Sequence, residues 1–154
     1  MNFIPQIHLL KGFAHFKFGQ TIADAEALFG KAEETQVLND DILETSCTVL
    51  HYWDIGFSLF FDNNNFKKCS SVEIDNEETT LFGQLIFTLN EKQLTDLMKQ
   101  NNYALSDTEQ QDWGEKRLSF DDAGLDCYFE NGELRSVNFG AIDDINTTYA
   151  FLPN

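Results

Sequence analysis

The chain has 154 residues, enough for one domain of ordinary size that folds without a metal ion or a disulfide. Its 10 Lys and Arg residues face 26 Asp and Glu residues, and the net charge of -16 argues against nucleic acid or an anionic membrane as partner. A hydrophobic content of 42%, with 15 Phe residues, excludes disorder for most of the chain.

The first predicted elements are a short strand and a helix. Ala14, Phe16 and Phe18 alternate with other residue types, which is the period of a half-buried strand. Thr21 then opens a helix, and Asp24 stands three residues later as its capping partner. The apolar residues on one face of this helix are Ile22, Ala25, Leu28 and Phe29.

A three-stranded meander is predicted to follow this helix. Its strands cover roughly 47–53, 56–62 and 66–75, and they are separated by turns rich in Asp, Asn and Gly. Glycine tolerates a positive φ, and the Asp side chain can bond the turn backbone. The residues therefore indicate antiparallel strands joined by tight turns.

The same order of elements is predicted again in the second half of the chain. Leu85, Phe87 and Leu89 alternate, and Asn90 opens a helix with Gln93 as capping partner. The apolar face of that helix carries Leu94, Leu97 and Met98, and the strands after it cover roughly 116–121, 124–130 and 133–140.

An alignment of the chain with itself at an offset of 68 residues indicates an internal duplication. Residues 50–67 and 118–135 share 5 identical and 6 similar pairs in 18 positions. We therefore predict an α+β fold in which two tandem strand-helix-β-meander repeats form one curved antiparallel sheet with helices on one face. The repeats cover about 13–75 and 82–140 of a single domain, 1–154, and a short C-terminal tail follows.

The first unit contains three short motifs that follow one another along the chain. Gly19-x-Thr21 is followed by Leu28-Phe29-Gly30-Lys31-Ala32, and then by Tyr52-Trp53 before an aromatic strand. This series resembles the unit of SmpA/OmlA-type small lipoprotein domains, and two such units in tandem are the plan of β-lactamase-inhibitor proteins. The resemblance implies a scaffold that grips a protein partner. The second unit departs from the pattern, with Asp121 where Trp53 stands in the first.

The alternation of side chains assigns the two faces of the sheet. The core side carries Leu50, Tyr52, Phe57, Leu59 and Phe61, and their counterparts Leu118, Phe120, Leu125, Cys127 and Phe129. The opposite side carries Val49, His51, Trp53, Ser58, Phe60, Arg117, Ser119, Asp121, Asp126 and Tyr128. Aromatic residues beside acids are typical of the centre of a protein interface. The open alternative is that Trp53, Phe60 and Tyr128 cover one another or pack under the 101–115 loop. In the third strands, the apolar residues of the two repeats fall on positions of opposite parity at the 68-residue offset, so they would face opposite sides of the sheet. This difference predicts a bulge in one of the two strands.

No motif for catalysis or cofactor binding is found, so the sequence predicts neither an enzyme nor a cofactor. Cys47 and His51 share a strand face, but two ligands are too few to predict a metal site. Asp121 and Asp122 are neighbours that point apart, so they do not form a catalytic carboxylate pair. Three widely spaced cysteines, with no secretory signal and no membrane-spanning run, predict a soluble cytoplasmic protein.

These observations favour a cytoplasmic immunity protein that neutralises a cognate, basic bacterial toxin by covering its surface. In this hypothesis Trp53, Phe60 and Tyr128 are apolar anchors and His51 is an adaptable polar contact. Asp121, Asp122 and Asp126 would meet Lys or Arg of the toxin. Two alternatives remain open from the sequence: an acidic secretion chaperone for an effector protein, and a protein that binds or converts a small ligand.

Overall fold

The fold is that of a computed structural model, which describes residues 4–142. The N-terminal part contains β1 (Ile7–His8), β2 (Gly12–Phe13), β3 (Phe16–Lys17) and helix α1 (Ile22–Phe29). The next strands are β4 (Glu34–Asp40), β5 (Thr45–Tyr52), β6 (Phe57–Asp62) and β7 (Lys68–Ile74). They are followed by β8 (Thr80–Leu81), β9 (Gln84–Leu85), the 3-10 turn Ile86–Thr88 and helix α2 (Glu91–Gln100). The last strands are β10 (Asp107–Gln110), β11 (Glu115–Phe120), β12 (Leu125–Glu130) and β13 (Glu133–Gly140).

Eight of these strands form one antiparallel sheet, in the order β10-β11-β12-β13-β7-β6-β5-β4. The strands β13 and β7 pair in the middle of the sheet, where Val137 lies opposite Ile74 and Phe139 lies opposite Val72. The prediction of an antiparallel sheet is therefore confirmed. Residues 143–154 of the expected C-terminal tail lie outside the described residues.

The predicted α+β class with two tandem strand-helix-meander repeats is wrong, because the chain is mostly β. Of the described residues, 45% lie in strands and 17% in helices. Every residue of β4 and of β10 is exposed, so these edge strands lack the apolar alternation by which a strand is recognised in a sequence. The strands expected around 14–18 and 85–89 shrink to two-residue pieces and a 3-10 turn.

Both predicted helix starts are confirmed, because each is stabilised by side chains close in sequence. The Thr21 hydroxyl accepts from the Asp24 backbone N–H at 3.3 Å, and the Asp24 carboxylate accepts from the Thr21 N–H at 3.0 Å. Asn90 and Gln93 form the same reciprocal pair at the start of α2. Such capping boxes satisfy backbone donors that no helical carbonyl can reach.

One hydrophobic core lies between the helices, the N-terminal strands and one face of the sheet. The ten residues assigned to the core side in the sequence are all buried there. Register shifts occur between Phe60 and Phe61 in the β6–β7 pair, and between Tyr128 and Phe129 in the β12–β13 pair. Both pairs contain a shift, so a bulge in one copy alone does not account for the difference in parity between the third strands. The difference follows from turn length, because five residues, 63–67, join β6 to β7 and two residues, 131–132, join β12 to β13. The apolar residues of both third strands lie in the core: Val72, Ile74, Val137 and Phe139.

Gly140 lies where β13 meets β7, and it has no room for a side chain. A Cβ at this position would lie 2.5 Å from the Ser70 carbonyl oxygen and 2.9 Å from the Ser71 Cβ. We expect Gly140→Ala to lower the free energy of unfolding by about 1–3 kcal/mol, because the central strand pair must shift to admit the methyl group. Urea unfolding measures this change, and a variant as stable as the parent would contradict the close approach of these strands.

Candidate functional site

The candidate site lies on the outer face, by which we mean the sheet face opposite the core. The buried residues of both helices belong to the core cluster, so among residues 4–142 the helices cover the inner face alone. Residues directly opposite one another in antiparallel strands point to the same face. One row of such residues crosses all eight strands of the outer face: Glu34, His51, Ser58, Glu73, Asn138, Asp126, Ser119 and Asp107. The middle of the outer face is therefore polar.

His51, which belongs to this row, forms an ordered aromatic pair with Trp53 at the end of β5. The Trp53 indole stacks on the His51 imidazole, with ring centroids 4.2 Å apart and an angle of 7° between the planes. Trp53 Nε1 donates to Glu34 Oε1 at 3.3 Å. The two ring nitrogens of His51 lie 2.7 Å from Ser58 Oγ and 3.0 Å from Gln36 Oε1. His51 is buried and held by these contacts, whereas Trp53 is 58% exposed.

Tyr128 lies on the same outer face, on β12, across the β7–β13 pair from Trp53. It lies opposite Arg117, whose guanidinium donates to Asp107 Oδ2 at 3.0 Å and to Glu109 Oε2 at 3.4 Å. On the neighbouring row the Ser119 hydroxyl donates to Asp126 Oδ1 at 2.6 Å. These bonds order the polar side chains around the half-buried Tyr128 ring.

Two shallow hollows lie on the outer face between Trp53 and Tyr128. The hollow of about 260 Å³ is lined by Glu73, Glu115, Tyr128, Phe129, Glu130, Arg135, Ser136 and Asn138. The hollow of about 70 Å³ is lined by Trp53, Gly56, Phe57, Ser58, Glu73, Ile74 and Asp75. Glu73 borders both, and we call the two hollows together the Glu73 trough. Trp53 directly follows β5 and Tyr128 lies on β12, and these two strands are four strand spacings, or roughly 19 Å, apart.

The trough is strongly negative. Glu73 is exposed, and within residues 4–142 no Lys, Arg or His nitrogen lies within 4.0 Å of its carboxylate. Burial raises the pKa of Tyr128, and the nearby Asp126 carboxylate raises it further. Glu73 and Glu115 act in the same direction on this pKa, and only Arg117 opposes them. A cation would therefore be stabilised between the two aromatic rings.

The structure brings together four of the seven predicted site residues and separates the other three. Trp53 and Tyr128 bound the trough, and His51 and Asp126 belong to the polar row beside it. Phe60 lies on the far side of that row from Trp53, opposite Val49 and Ser71. Asp121 and Asp122 lie in the 3-10 turn Asp121–Ala123 between β11 and β12. The three predicted aromatic anchors therefore do not form one continuous patch.

Sequence reasoning missed the residue at the centre of the trough. Glu73 is the first of four closely spaced acidic residues, at positions 73, 75, 77 and 78, a pattern typical of a solvated loop rather than of a strand face. Its place depends on the register shift in the β6–β7 pair and on the pairing of β7 with β13. No local pattern encodes that long-range pairing, although the alternation of buried Val72 and Ile74 around Glu73 was a usable signal.

The described residues do not present a metal centre or a membrane span. Within residues 4–142, no group of three or more His, Cys, Asp or Glu side chains is placed to hold a metal ion. In the same range, no helix combines the length and the apolar character needed to cross a bilayer.

The three cysteines differ in how well reagents can reach them. Cys69 and Cys127 are fully buried, and Cys47 is partly exposed. Burial raises the pKa of Cys69 to about 12, and it also raises the pKa values of Cys47 and Cys127. A raised pKa lowers the fraction of reactive thiolate at neutral pH.

We therefore expect iodoacetamide at neutral pH to modify the folded protein slowly and at Cys47 alone. The unfolded protein should take up three carbamidomethyl groups, because its thiols are exposed and regain ordinary pKa values. Intact-mass spectrometry counts the added groups, and peptide mapping locates them. Rapid modification of Cys69 or Cys127 in the folded protein would contradict the burial of these side chains.

Two solved structures show limited similarity to this chain. No protein-family model and no curated protein matches the chain. An extracellular protein containing a SCP domain from Bacillus anthracis str. Ames is 14% identical, with a TM-score of 0.47 over 80% of this chain and 44% of that chain. A DUF4309 family protein, YjgB, from Bacillus subtilis subsp. subtilis str. 168 is 14% identical, with a TM-score of 0.45 over 79% of this chain and 78% of that chain.

The chain spans less than half the length of the first of these two proteins. Neither is described as a SmpA/OmlA-type domain or as a β-lactamase-inhibitor protein. The resemblance to those families therefore stays a prediction from the motifs of the sequence.

Proposed function

We propose that this protein binds a basic protein partner on the Glu73 trough and inhibits that partner by covering its surface. The observation that carries the proposal is an exposed carboxylate without an ion pair in the described structure, placed between two aromatic side chains on a sheet face that the described helices leave open. An acidic hollow with aromatic ends matches the chemistry of Arg and Lys side chains.

An Arg or Lys side chain of the partner has two parts that the trough can hold. Its aliphatic stem packs against the ring of Trp53 or Tyr128, which removes apolar surface from water. Its cationic end forms a charge-assisted hydrogen bond with Glu73. The ion pair offsets the cost of removing its charges from water only when its geometry is good. The contacts of Trp53 with His51 and Glu34 hold the ring in place before the partner arrives, which lowers the entropy cost of binding.

The charge of the whole protein supports the same kind of partner. A net charge of -16 attracts a basic surface over a distance of about one Debye length, which is roughly 8–10 Å at physiological salt. Such attraction increases the rate of association more than the lifetime of the complex. The same field repels nucleic acid, so nucleic acid would not compete with a basic toxin for the trough.

In its specific form the proposal is that of a cytoplasmic immunity protein that neutralises a cognate toxin. A short chain, strong acidity and an open sheet face fit this role. Three free cysteines, two of them fully buried, suit a reducing compartment.

Trp53 is expected to act as an anchor of the complex. Truncation by Trp53→Ala should weaken binding of the partner by at least about 2 kcal/mol, or about thirtyfold in Kd, because the exposed ring loses its contact area. Titration calorimetry measures the change. The control is Phe66→Ala, which removes an aromatic ring that is 85% exposed in the β6–β7 turn, away from the trough. Equal losses in the two variants would show that Trp53 has no special part in binding.

Site-specific photo-cross-linking in the native host tests the proposed function. The photoreactive residue p-benzoylphenylalanine replaces Ser136 inside the trough, and in the control it replaces Val37, which is 55% exposed on edge strand β4. The proposal expects a basic protein cross-linked at position 136 alone, and it expects co-expression to suppress that protein's toxicity.

Other outcomes of this experiment contradict the proposal. Cross-links at position 37 alone would place the contact elsewhere. A partner that is bound only as an unfolded segment would favour a secretion chaperone. A folded partner without toxicity would remove the immunity role while leaving the binding face in place.

A further inference from the structure

The N-terminal segment has a charge opposite to that of the rest of the chain. Residues 1–23 contain Lys11 and Lys17, together with His8 and His15, and they contain no Asp or Glu. The first acidic residue is Asp24, so all 26 acidic residues of the chain follow this segment. Such segregation places a local positive field on a strongly negative protein.

These cationic and imidazole side chains surround one cavity. The strands β1, β2 and β3 form a small antiparallel sheet in which His8 lies opposite Gly12, and Gly12 lies opposite Lys17. His8 and Lys17 therefore flank a residue that has no side chain. The cavity beside it measures about 260 Å³ and is lined by His8, Lys11, Gly12, Ala14, His15, Phe16 and Lys17. We call it the cationic pocket.

The lining of the cationic pocket is apolar at its base and charged at its rim. Gly12 and Phe16 are buried, and Ala14 is partly buried. Lys11, His15 and Lys17 are exposed. A side chain at Gly12 is excluded, because its φ is +154° and a Cβ would collide with the Phe16 carbonyl oxygen.

The lysines of the cationic pocket are not neutralised by the protein itself. Within the described part of the chain, no carboxylate oxygen lies within 4.0 Å of the Lys11 or Lys17 ammonium group. The same holds for the ring nitrogens of His8 and His15 over residues 4–142. A bound anion would therefore be the first close counter-charge for these groups.

The cationic pocket is separate from the Glu73 trough. The N-terminal sheet packs on the inner face of the large sheet through Phe13, whose ring centroid lies 5.0 Å from that of Phe57 and 6.3 Å from that of Phe139. The trough lies on the outer face. The cationic pocket and the trough are therefore separated by the large sheet.

We propose that the cationic pocket binds a carboxylate attached to an apolar group. The apolar base accepts the hydrocarbon part, and Lys11 and Lys17 hold the carboxylate by charge-assisted hydrogen bonds. A ligand with a single charge meets less repulsion from a protein of net charge -16 than a polyanion does. This carboxylate comes either from a free organic acid or from the C-terminus of an apolar peptide.

Nuclear magnetic resonance titration of the full chain at neutral pH tests the proposal. The probes are 2-naphthoate and its neutral counterpart 2-naphthalenemethanol. Two further probes are acetyl-Ala-Ala-Phe with a free carboxylate and the same peptide as an amide. We expect both carboxylates to shift the backbone amide signals of residues 8–17, and the neutral counterparts to shift them little. The carboxylate probe that binds with the lower Kd shows whether the ligand is a free organic acid or the C-terminus of a peptide.

Two double variants with the same loss of charge test the role of the lysines. Lys11→Gln/Lys17→Gln is expected to raise the Kd of the naphthoate about tenfold. Lys31→Gln/Lys99→Gln removes two exposed lysines elsewhere and should leave the Kd unchanged. The proposal is overturned if the alcohol binds as well as the acid, if the shifts lie outside residues 8–17, or if both double variants lose affinity equally.

Discussion

Charge reversal by Glu73→Lys is expected to weaken binding of the basic partner by about a hundredfold, because two like charges brought together at an interface cost several kcal/mol. Glu73 borders both hollows of the trough, so a partner cation placed between Trp53 and Tyr128 would meet the new ammonium group directly. Titration calorimetry with the purified partner measures the change in Kd. The free energy of unfolding should change by less than about 0.5 kcal/mol, since Glu73 is exposed.

A second charge reversal separates local contact from net charge. Glu44→Lys makes the same change in total charge at an exposed position between β4 and β5, away from the trough. It should leave the lifetime of the complex unchanged and slow association slightly, an effect that disappears at high salt. If both variants weaken binding by the same factor, the overall charge of the protein is sufficient to explain the loss of binding, and the trough has no special role.

Replacement of Phe13 with alanine is expected to lower the free energy of unfolding by about 3–5 kcal/mol. Phe13 is fully buried, and its ring contacts lie on helix α1 and on two strands of the large sheet. The ring centroids of Phe57 and Phe29 lie 5.0 and 6.3 Å away. Removal of the ring leaves a cavity between three parts of the fold, and these parts cannot all move in to fill it.

Chemical unfolding in urea, followed by tryptophan fluorescence, measures the effect of Phe13→Ala. The total stability of a domain of this size is typically about 5–15 kcal/mol, so the loss should shift the midpoint strongly. Phe66→Ala removes the same number of atoms from a side chain that is 85% exposed, and it should change stability by less than about 0.5 kcal/mol. Similar midpoints for the two variants would contradict the central place of Phe13 in the core.

Features encoded by neighbouring residues could be predicted from the sequence. Both capping boxes join residues that are three positions apart, so they form wherever the chain enters a helix. The strands β5, β6, β11 and β12 were recognised because their apolar residues alternate with a period of two. The same alternation placed His51, Trp53, Asp126 and Tyr128 on the face opposite the core.

The predominance of β structure was decided by tertiary contacts. The fully exposed strands β4 and β10 owe their form to hydrogen bonds with β5 and β11, and their own side chains carry no apolar pattern. Around Ala14 and Leu89 the alternation was present, but the chain turns after two residues and packs on other elements. Local propensity is a weak guide where packing determines the outcome.

The sequence by itself determined the two helix starts, the residues of the core face and the excess of negative charge. Only the tertiary structure decided that β7 pairs with β13, which places Glu73 between Trp53 and Tyr128 and separates Phe60 from both. It also gathered the basic residues of the first 23 positions around one cavity on the other side of the large sheet. The physical reason is that capping and alternation act over a few residues, whereas strand pairing joins residues more than 60 positions apart and depends on the packing of the whole core.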